Sequence, residues 1–442
     1  VTQPPSAEAR LEAQPLGLLQ LKVGLICMLA QTFDGYDLNS IGMAVPALIR
    51  AWHLPGPAFA ITFVMSSVGI LIGALCSGPL GDRLGRKPVL TGSLLLLSVS
   101  SLACIFVTTI PMLAGLRVLT GMGVGALFPA SVALAADYLP ERRRAVGIMI
   151  VFTGAPLGGF LGGVAVSRLL PVFDWPVIFL LGGVLPLLLL PVVVFLLPES
   201  PRFLLARGRL SAASQRLLTQ LGLDLSTPAQ AVDVASGNPV TGLFRDGLAP
   251  TTVLVWVLYF SNLLSMFMIG YWMPTVLSMS GLTPAESVFA ASLREGGPLL
   301  SVFLIVPLSA RFGPPNVLAV SLGCGILAIA AIGLLALPYS LLLAVILLVG
   351  ACTVGSMTGV NGMTAALYPA RVRTTGMGWA LGIGRLGAIV GPWLGGELLT
   401  AGWPPRQIFL VACVTASVAT VCAVLLGVLR RRREPRTLLR QA

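Results

Sequence analysis

Apolar runs of about 20 residues recur down almost the whole of this 442-residue chain, and no other feature constrains its fold as strongly. At about 1.5 Å per residue, a helix of that length crosses the ~30 Å hydrocarbon layer of a bilayer. Lipid offers no hydrogen bonds, so helices, which pair their backbone groups internally, are the expected solution. The runs place spans at approximately 18–49, 58–81, 88–109, 111–138, 145–169, 175–197, 250–279, 286–310, 316–335, 338–367, 374–401 and 406–429. Composition points the same way: 56% of the residues are hydrophobic and 10% charged, where a soluble domain carries about a quarter charged residues. The expected fold class is an all-α membrane protein of twelve transmembrane helices in two six-helix bundles.

A net charge of +12 raises nucleic acid as a partner, and the placement of the charge argues against it. Of 28 Lys and Arg, three (Arg50, Arg168, Arg406) fall in or at the edge of one set of connections and three (Arg117, Arg294, Arg385) well inside spans. The other 22 fall in or at the edge of the alternate connections and the termini, Lys22 at the start of the first span included. This asymmetry follows the positive-inside rule and places both termini in the cytoplasm; the expected location is a bacterial-type inner (plasma) membrane. Arg430 to Arg433 then read as an anchor near anionic headgroups. The bilayer is an expected partner and nucleic acid is not. Cys27, Cys76, Cys104, Cys324, Cys352, Cys413 and Cys422 lie in apolar spans without metal-ligand spacing, so neither a disulfide framework nor a metal site is expected. Residues 1–16 are polar and lead straight into the polytopic pattern, which predicts no cleavable signal peptide.

The one long polar connection divides the spans into two groups of six. The expected organisation is a cytoplasmic tail 1–17, an N-terminal bundle 18–197, a cytoplasmic linker 198–249, a C-terminal bundle 250–429 and a basic tail 430–442. A repeat supports the division. Arg83, Gly85, Val89 and Leu90 after the second span return as Arg311, Gly313, Val317 and Leu318 after the eighth, and Tyr138 to Gly147 is echoed by Tyr368 to Gly376. Two halves of like orientation are the parallel repeat of rocker-type carriers, which hold substrate near the bilayer midplane.

At these residues the chain resembles the major facilitator superfamily over essentially its full length. Gly78-Pro79-Leu80-Gly81-Asp82-Arg83-Leu84-Gly85-Arg86-Lys87 is similar to that superfamily's signature between helices two and three. Gly81, Asp82, Arg83, Gly85 and Arg86 are therefore candidates for a gating loop. In it, Asp82 would accept hydrogen bonds from a neighbouring helix N-terminus, and the Arg side chains would bind helix C-termini or headgroups. Charge that merely sets topology is the alternative. The second copy has Ala310 at the Asp position and is degraded. Pro198-Glu199-Ser200-Pro201-Arg202-Phe203 is shared with sugar-type porters as well as aromatic acid carriers.

An ionised side chain at the bilayer centre costs at least ~2.5–3.5 kcal/mol, so each one asks for a partner, a water-filled cavity or a function. Asp34 and Asp37, three residues apart, share one face of the first span, where like charges in low dielectric raise one proton affinity. They are candidates for proton coupling; neutralisation of a buried Arg is the alternative for either. Arg294 and Glu295 are adjacent and so about 100° apart on their helix. Glu295 is a candidate second proton site, or the two neutralise each other and their neighbours. Asp137, Arg168 and Glu397 lie near span ends, where solvated or snorkelling roles are expected.

The segment Gln31-Thr32-Phe33-Asp34-Gly35-Tyr36-Asp37, with Gly42 and Pro46, resembles the first helix of the aromatic acid:proton symporter family within the superfamily, and Gly376 to Pro392 is similar to its eleventh. The resemblance implies proton-coupled import of a small aromatic carboxylate of the benzoate or hydroxybenzoate type. Arg385, flanked by Gly384 and Gly387, is the candidate carboxylate anchor, because a guanidinium fork binds a carboxylate bidentately; an ion pair with one of the acids is the alternative. Arg117, ahead of Gly121, Gly123, Gly125 and Pro129, resembles the superfamily's fourth helix. It is a candidate for pairing with Asp34 or Asp37 and, secondarily, for the substrate carboxylate. Ala126 and Ala130 depart from the family pattern there.

Tyr36, Phe260, Phe267, Tyr271, Trp272 and Trp379 are candidates for contact with a substrate ring, and Asn262 and Asn361 for a ring hydroxyl. Lipid contact and helix packing compete with each of these assignments. The single His, His53, reads as an interfacial residue, and no Gly-x4-Gly-Lys-Ser/Thr loop is present. The chain is therefore expected to be no enzyme, to hold no cofactor, to draw on the proton gradient and to act as a monomer. Carriage of another organic acid, a sugar or a drug, and sensing of a solute at the membrane, are the competing functions.

Overall fold

Twelve long helices take up the apolar runs. In a computed structural model, which describes residues 17–207, 215, 240–245 and 247–438, the first six are α1 (Leu18–Trp52), α2 (Ala60–Leu84), α3 (Arg86–Ala103), α4 (Ile110–Tyr138), α5 (Glu141–Phe152 and Gly154–Phe173) and α6 (Pro176–Leu196). The second six are α7 (Ala249–Met279), α8 (Pro284–Phe312), α9 (Pro314–Leu334), α10 (Tyr339–Leu367), α11 (Ala370–Thr400) and α12 (Ile408–Leu438). Nine are long and apolar enough to cross a membrane by length and composition, counting described residues only. The three outside that set, α1, α8 and α11, contain Asp34 and Asp37, Arg294 and Glu295, and Arg385 and Glu397.

Helix ends follow the expected spans to within a few residues, apart from α12, which continues through 430–438. Two helices are irregular. α5 is interrupted at Thr153, and α10 carries a π turn over Gly350–Val354. A short helix, Pro201–Arg207, opens the long connection. The linker's Arg209, Arg216, Asp224, Asp233 and Asp246 lie outside the described residues.

Two compact units are formed. One comprises Val1–Ser40, Val68–Gly159 and Pro176–Asp233, and the other Ile41–Ser67, Phe160–Trp175 and Val234–Ala442. Between helices in lipid the hydrophobic effect contributes little, so close packing needs small residues at the contacts. In the first unit a Cβ at Gly69, Gly73 or Gly125 would strike the backbone of Val118, Met122 or Ile70, which locks α2 onto α4. Gly35 and Gly158 do the same for α1 and α5, against Ala155 and Thr32. Ile26, Leu90, Leu94, Leu127, Leu134 and Val193 fill the adjoining core. In the second unit Gly387 and Gly391 bring α11 onto the backbone of α7 at Phe260 and Leu264. Trp272 Nε1 of α7 donates to the Pro392 carbonyl at 2.9 Å, and Ser265 Oγ ties α7 to the Ala412 carbonyl of α12 at 2.8 Å.

Gly125→Leu is expected to lower the melting temperature of the detergent-solubilised protein sharply, because backbone cannot move aside for the new side chain. Gly92→Ala, on a face of α3 with open space around it, is expected to leave the melting temperature unchanged or slightly raised. Equal effects would contradict the packing role of Gly125.

Candidate functional site

α1 carries two carboxylates into the interior of the first unit: Asp34 is 4% exposed and Asp37 is 0% exposed. The counter-ion of Asp37 comes from α4. Arg117, 1% exposed, donates from Nη2 to Asp37 Oδ2 at 3.1 Å and to the Asp37 carbonyl at 3.2 Å. Its Nη1 donates to Ser40 Oγ at 3.2 Å. Ser101 Oγ of α3 lies 3.4 Å from Asp37 Oδ1 and 3.2 Å from the carbonyl of Phe179. The pair thus has hydroxyl partners as well as its own Coulomb attraction, which a buried ion pair needs to offset desolvation. α6 approaches it closely at Gly182, where a Cβ would come within 3.3 Å of Asp37 Oδ1.

Ser40 and Ser101 are the partners of the pair that sequence reasoning missed. Serines are common in apolar spans, and only the three-residue step from Asp37 to Ser40 offered a signal. Tyr36, a candidate ring contact, turns its hydroxyl to the Ile178 carbonyl of α6 at 2.6 Å.

The second unit holds the other candidates. The Tyr271 ring stacks on Phe63 with centroids 5.0 Å apart and planes 8° from parallel, and Trp272 meets Phe63 edge-on at 5.1 Å. Phe267 meets Tyr271 edge-on at 5.6 Å. Phe63, from α2, is the organising ring of this cluster, and periodicity along α7 alone gave no sign of it. Tyr259 donates its hydroxyl to Asn361 Oδ1 at 2.6 Å, joining α7 to α10. Asn262 Nδ2 lies 3.3 Å from Met357 Sδ. Trp379 stacks on Trp256 at 5.7 Å and is 43% exposed. Phe260 presents its carbonyl to Gly387. Arg385 is half-buried on α11; the glycines around it serve the contact with α7, Gly384 lying against Tyr259 and Leu263. Arg294 and Glu295 pair with each other, Nη1 to Oε1 at 2.5 Å.

The loop after α2 differs from expectation in one respect. The carboxylate on the α3 N-terminus is Glu199, whose Oε1 accepts from the backbone N–H of Arg86 at 2.9 Å and of Lys87 at 3.1 Å. Asp82 instead accepts from Arg86 Nη1 at 2.8 Å, one turn away on a largely exposed surface. Glu199 can reach because Gly85 has φ +107° and no side chain, a conformation other residues rarely adopt. Gly81 leaves room for the Arg86 guanidinium, and Arg83 is exposed. Lys87 Nζ donates to the Val194 carbonyl at the end of α6, at 2.7 Å. Asp137, expected in a solvated or snorkelling role, accepts from Ser200 Oγ at 2.6 Å, with Arg202 Nε 3.7 Å away. The segment after α6 covers most of it and leaves the side chain 15% exposed. Among the described residues no group of three or more His, Cys, Asp or Glu is arranged to hold a metal.

The sequence pattern of the Major Facilitator Superfamily matches residues 27–293 and 255–442. The chain is 34% identical to the 4-hydroxybenzoate transporter PcaK of Pseudomonas aeruginosa, covering 95% of each sequence. It is 35% identical to a gallate transporter of Pseudomonas putida, covering 96% of each. Among solved structures, that of a D-xylose-proton symporter superposes with a TM-score of 0.71 at 16% identity, over 92% of this chain and 97% of that one. This last likeness concerns the fold.

Breaking one partner of a buried pair leaves an uncompensated charge and costs about 3–5 kcal/mol. Arg117→Leu is therefore expected to lower thermal stability strongly, and adding Asp37→Asn to restore part of it. Strictly additive losses in a thermal unfolding series would contradict the pairing.

Proposed function

The chain belongs to the Major Facilitator Superfamily, and on that premise we propose that it imports a small aromatic carboxylate, of the benzoate or hydroxybenzoate type, together with protons. The observation that carries the reading is the fully buried Asp37–Arg117 pair, set beside relatives named as 4-hydroxybenzoate, gallate and benzoate transporters. Proton uptake by Asp37 removes the carboxylate charge that faces Arg117 at 3.1 Å in a low-dielectric interior, where an excess of positive charge is costly. Entry of the substrate anion together with the proton keeps the net charge of the loaded carrier unchanged, so each species is admitted well only with the other. That interdependence is what converts two binding events into coupled transport.

Arg385 is the proposed anchor of the substrate carboxylate, through its bidentate fork. Asp34, one turn from Asp37, is proposed to share the proton-coupling role. The ring would lie against aromatic faces such as those of Phe267 and Tyr271, with Asn361 and Tyr259 available to a ring hydroxyl. The energy source is the proton gradient, with no cofactor, and the carrier works as a monomer. It sits in a bacterial-type inner membrane with both termini in the cytoplasm, as the basic connections favour.

The test is uptake of radiolabelled 4-hydroxybenzoate by proteoliposomes under an inward proton gradient. The native chain is expected to accumulate label, and Asp37→Asn and Arg385→Ala to lose accumulation. Full accumulation by either variant would remove the role proposed for that residue. Uptake indifferent to the gradient would remove proton coupling.

A further inference from the structure

The second unit holds a buried ion pair of its own, with a different construction. Arg294 is 4% exposed and Glu295 8% exposed, and they are neighbours in sequence on α8. Stabilising pairs on a helix are three or four residues apart, because those positions face each other. An adjacent pair must fold both side chains round the helix and does nothing for it locally.

Among the described residues of the second unit, the helices packed on α8 bring no further charge to the two residues. α7, α9 and α10, which pack on α8, contain no Asp, Glu, Lys, Arg or His. Their titratable side chains are Tyr259, Tyr271, Cys324, Tyr339 and Cys352. α5 meets α8 at Phe160 against Gly296 and at Gly163 against Ser292. Its one charged residue in that stretch, Arg168, is displaced toward the Pro284 end of α8. On α8 itself Glu286 and Arg311 stand near the two ends. Glu295 and Arg294 therefore depend on each other.

That mutual bond leaves Arg294 incompletely used. Nη1 holds Glu295 at 2.5 Å and Nη2 donates to the Met266 carbonyl of α7 at 2.9 Å, while Nε is buried with no hydrogen-bond partner. An unmade bond from a buried cation is an unfavourable arrangement that invites a further acceptor. The backbone here is also irregular on both sides. Pro298 removes the hydrogen bond that the Arg294 carbonyl would receive in a regular helix. Against that carbonyl lies Gly350, the first residue of the π turn in α10. π turns inside helices are frequent at functional sites. Gly270 of α7 lies directly under the guanidinium, where a Cβ would come within 2.8 Å of Nη1.

We propose that Arg294 is a second carboxylate-binding position and that Glu295 is its built-in competitor. An incoming carboxylate takes the Nε edge, and because one guanidinium charge cannot neutralise two buried anions, Glu295 loses Arg294 as its counter-ion. Glu295, left without a counter-ion, binds one proton from water. The count balances: an Arg cation paired with a Glu anion becomes an Arg cation paired with the substrate anion beside a neutral Glu. Departure of the substrate reverses both steps and returns the proton. The inference rests on the carboxylate-transport reading and deepens it, since it adds a residue pair through which acid and proton exchange.

The experiment measures the affinity of the purified protein for 4-hydroxybenzoate at mildly acidic and mildly alkaline pH. In Glu295→Gln the competitor is gone, so affinity is expected to rise about tenfold at the alkaline pH and to change little at the acidic one. Glu295→Asp, which keeps the carboxylate, is expected to retain the native pH dependence. Arg294→Lys, which keeps the charge and loses the fork, is expected to weaken binding about tenfold or more with the melting temperature maintained. Unchanged affinity in Glu295→Gln at both pH values, or native affinity in Arg294→Lys, overturns the proposal. If Glu295→Gln does not fold, the Arg294→Lys measurement decides alone. Failure of the native protein to bind any benzoate-type acid removes the transport reading and the inference with it, whereas native binding with indifferent variants removes the inference alone.

Discussion

The cost of an ion in an apolar interior governs this structure. A charge at the bilayer centre is unfavourable by at least ~2.5–3.5 kcal/mol, yet α1, α4 and α8 keep Asp34, Asp37, Arg117, Arg294 and Glu295 almost wholly buried. Asp37 and Arg117 satisfy one another, and Ser40 and Ser101 complete the shell. A pair of this kind stabilises little compared with apolar packing of the same volume. Its value lies in the consequence of separating it: whatever removes one charge makes the site receptive to another of the same sign. Coupling between a proton and an organic anion needs no more elaborate device.

Glycine makes such burial possible. Helices that approach at Gly69, Gly73 and Gly125, or at Gly387 and Gly391, meet backbone to backbone. The polar side chains between them are sealed from lipid, and interhelical hydrogen bonds such as Tyr36 to Ile178 and Tyr259 to Asn361 become available. At the loop after α2 the same principle acts on a single residue, since Gly85 admits the Glu199 carboxylate to the α3 N-terminus. The helix end supplies unpaired N–H groups and partial positive charge, which an anion satisfies at once.

Much of this was legible in the sequence. Span length and the absence of charge locate twelve helices with little ambiguity, and the resemblance of the two halves carries the superfamily. Buried ions were visible as candidates because they interrupt apolar runs. Their partners were harder to read. Asp37 bonds to residues 64 and 80 positions away, and Ser101 is one serine among many. Phe63 joins the α7 aromatics from a different helix, so no periodicity in α7 announces it. Glu199 was assigned no role because its acceptor geometry depends on Gly85, 114 positions earlier, having a positive φ. Glycines flanking Arg385 suggested room for a ligand, and the structure spends them on helix packing. In each case the local pattern fixed where a polar group sits and long-range contact fixed what it touches.

The central claim is that an organic anion and a proton cross together because Asp37 must be neutralised as the anion is admitted. Its most direct measurement is proton movement itself, followed with a pH indicator outside proteoliposomes when 4-hydroxybenzoate is added without an imposed gradient. The account predicts that the external medium becomes alkaline as the acid enters, and that Asp37→Asn abolishes the change. Entry of the acid with no accompanying proton flux, or an undiminished flux in the variant, would contradict it.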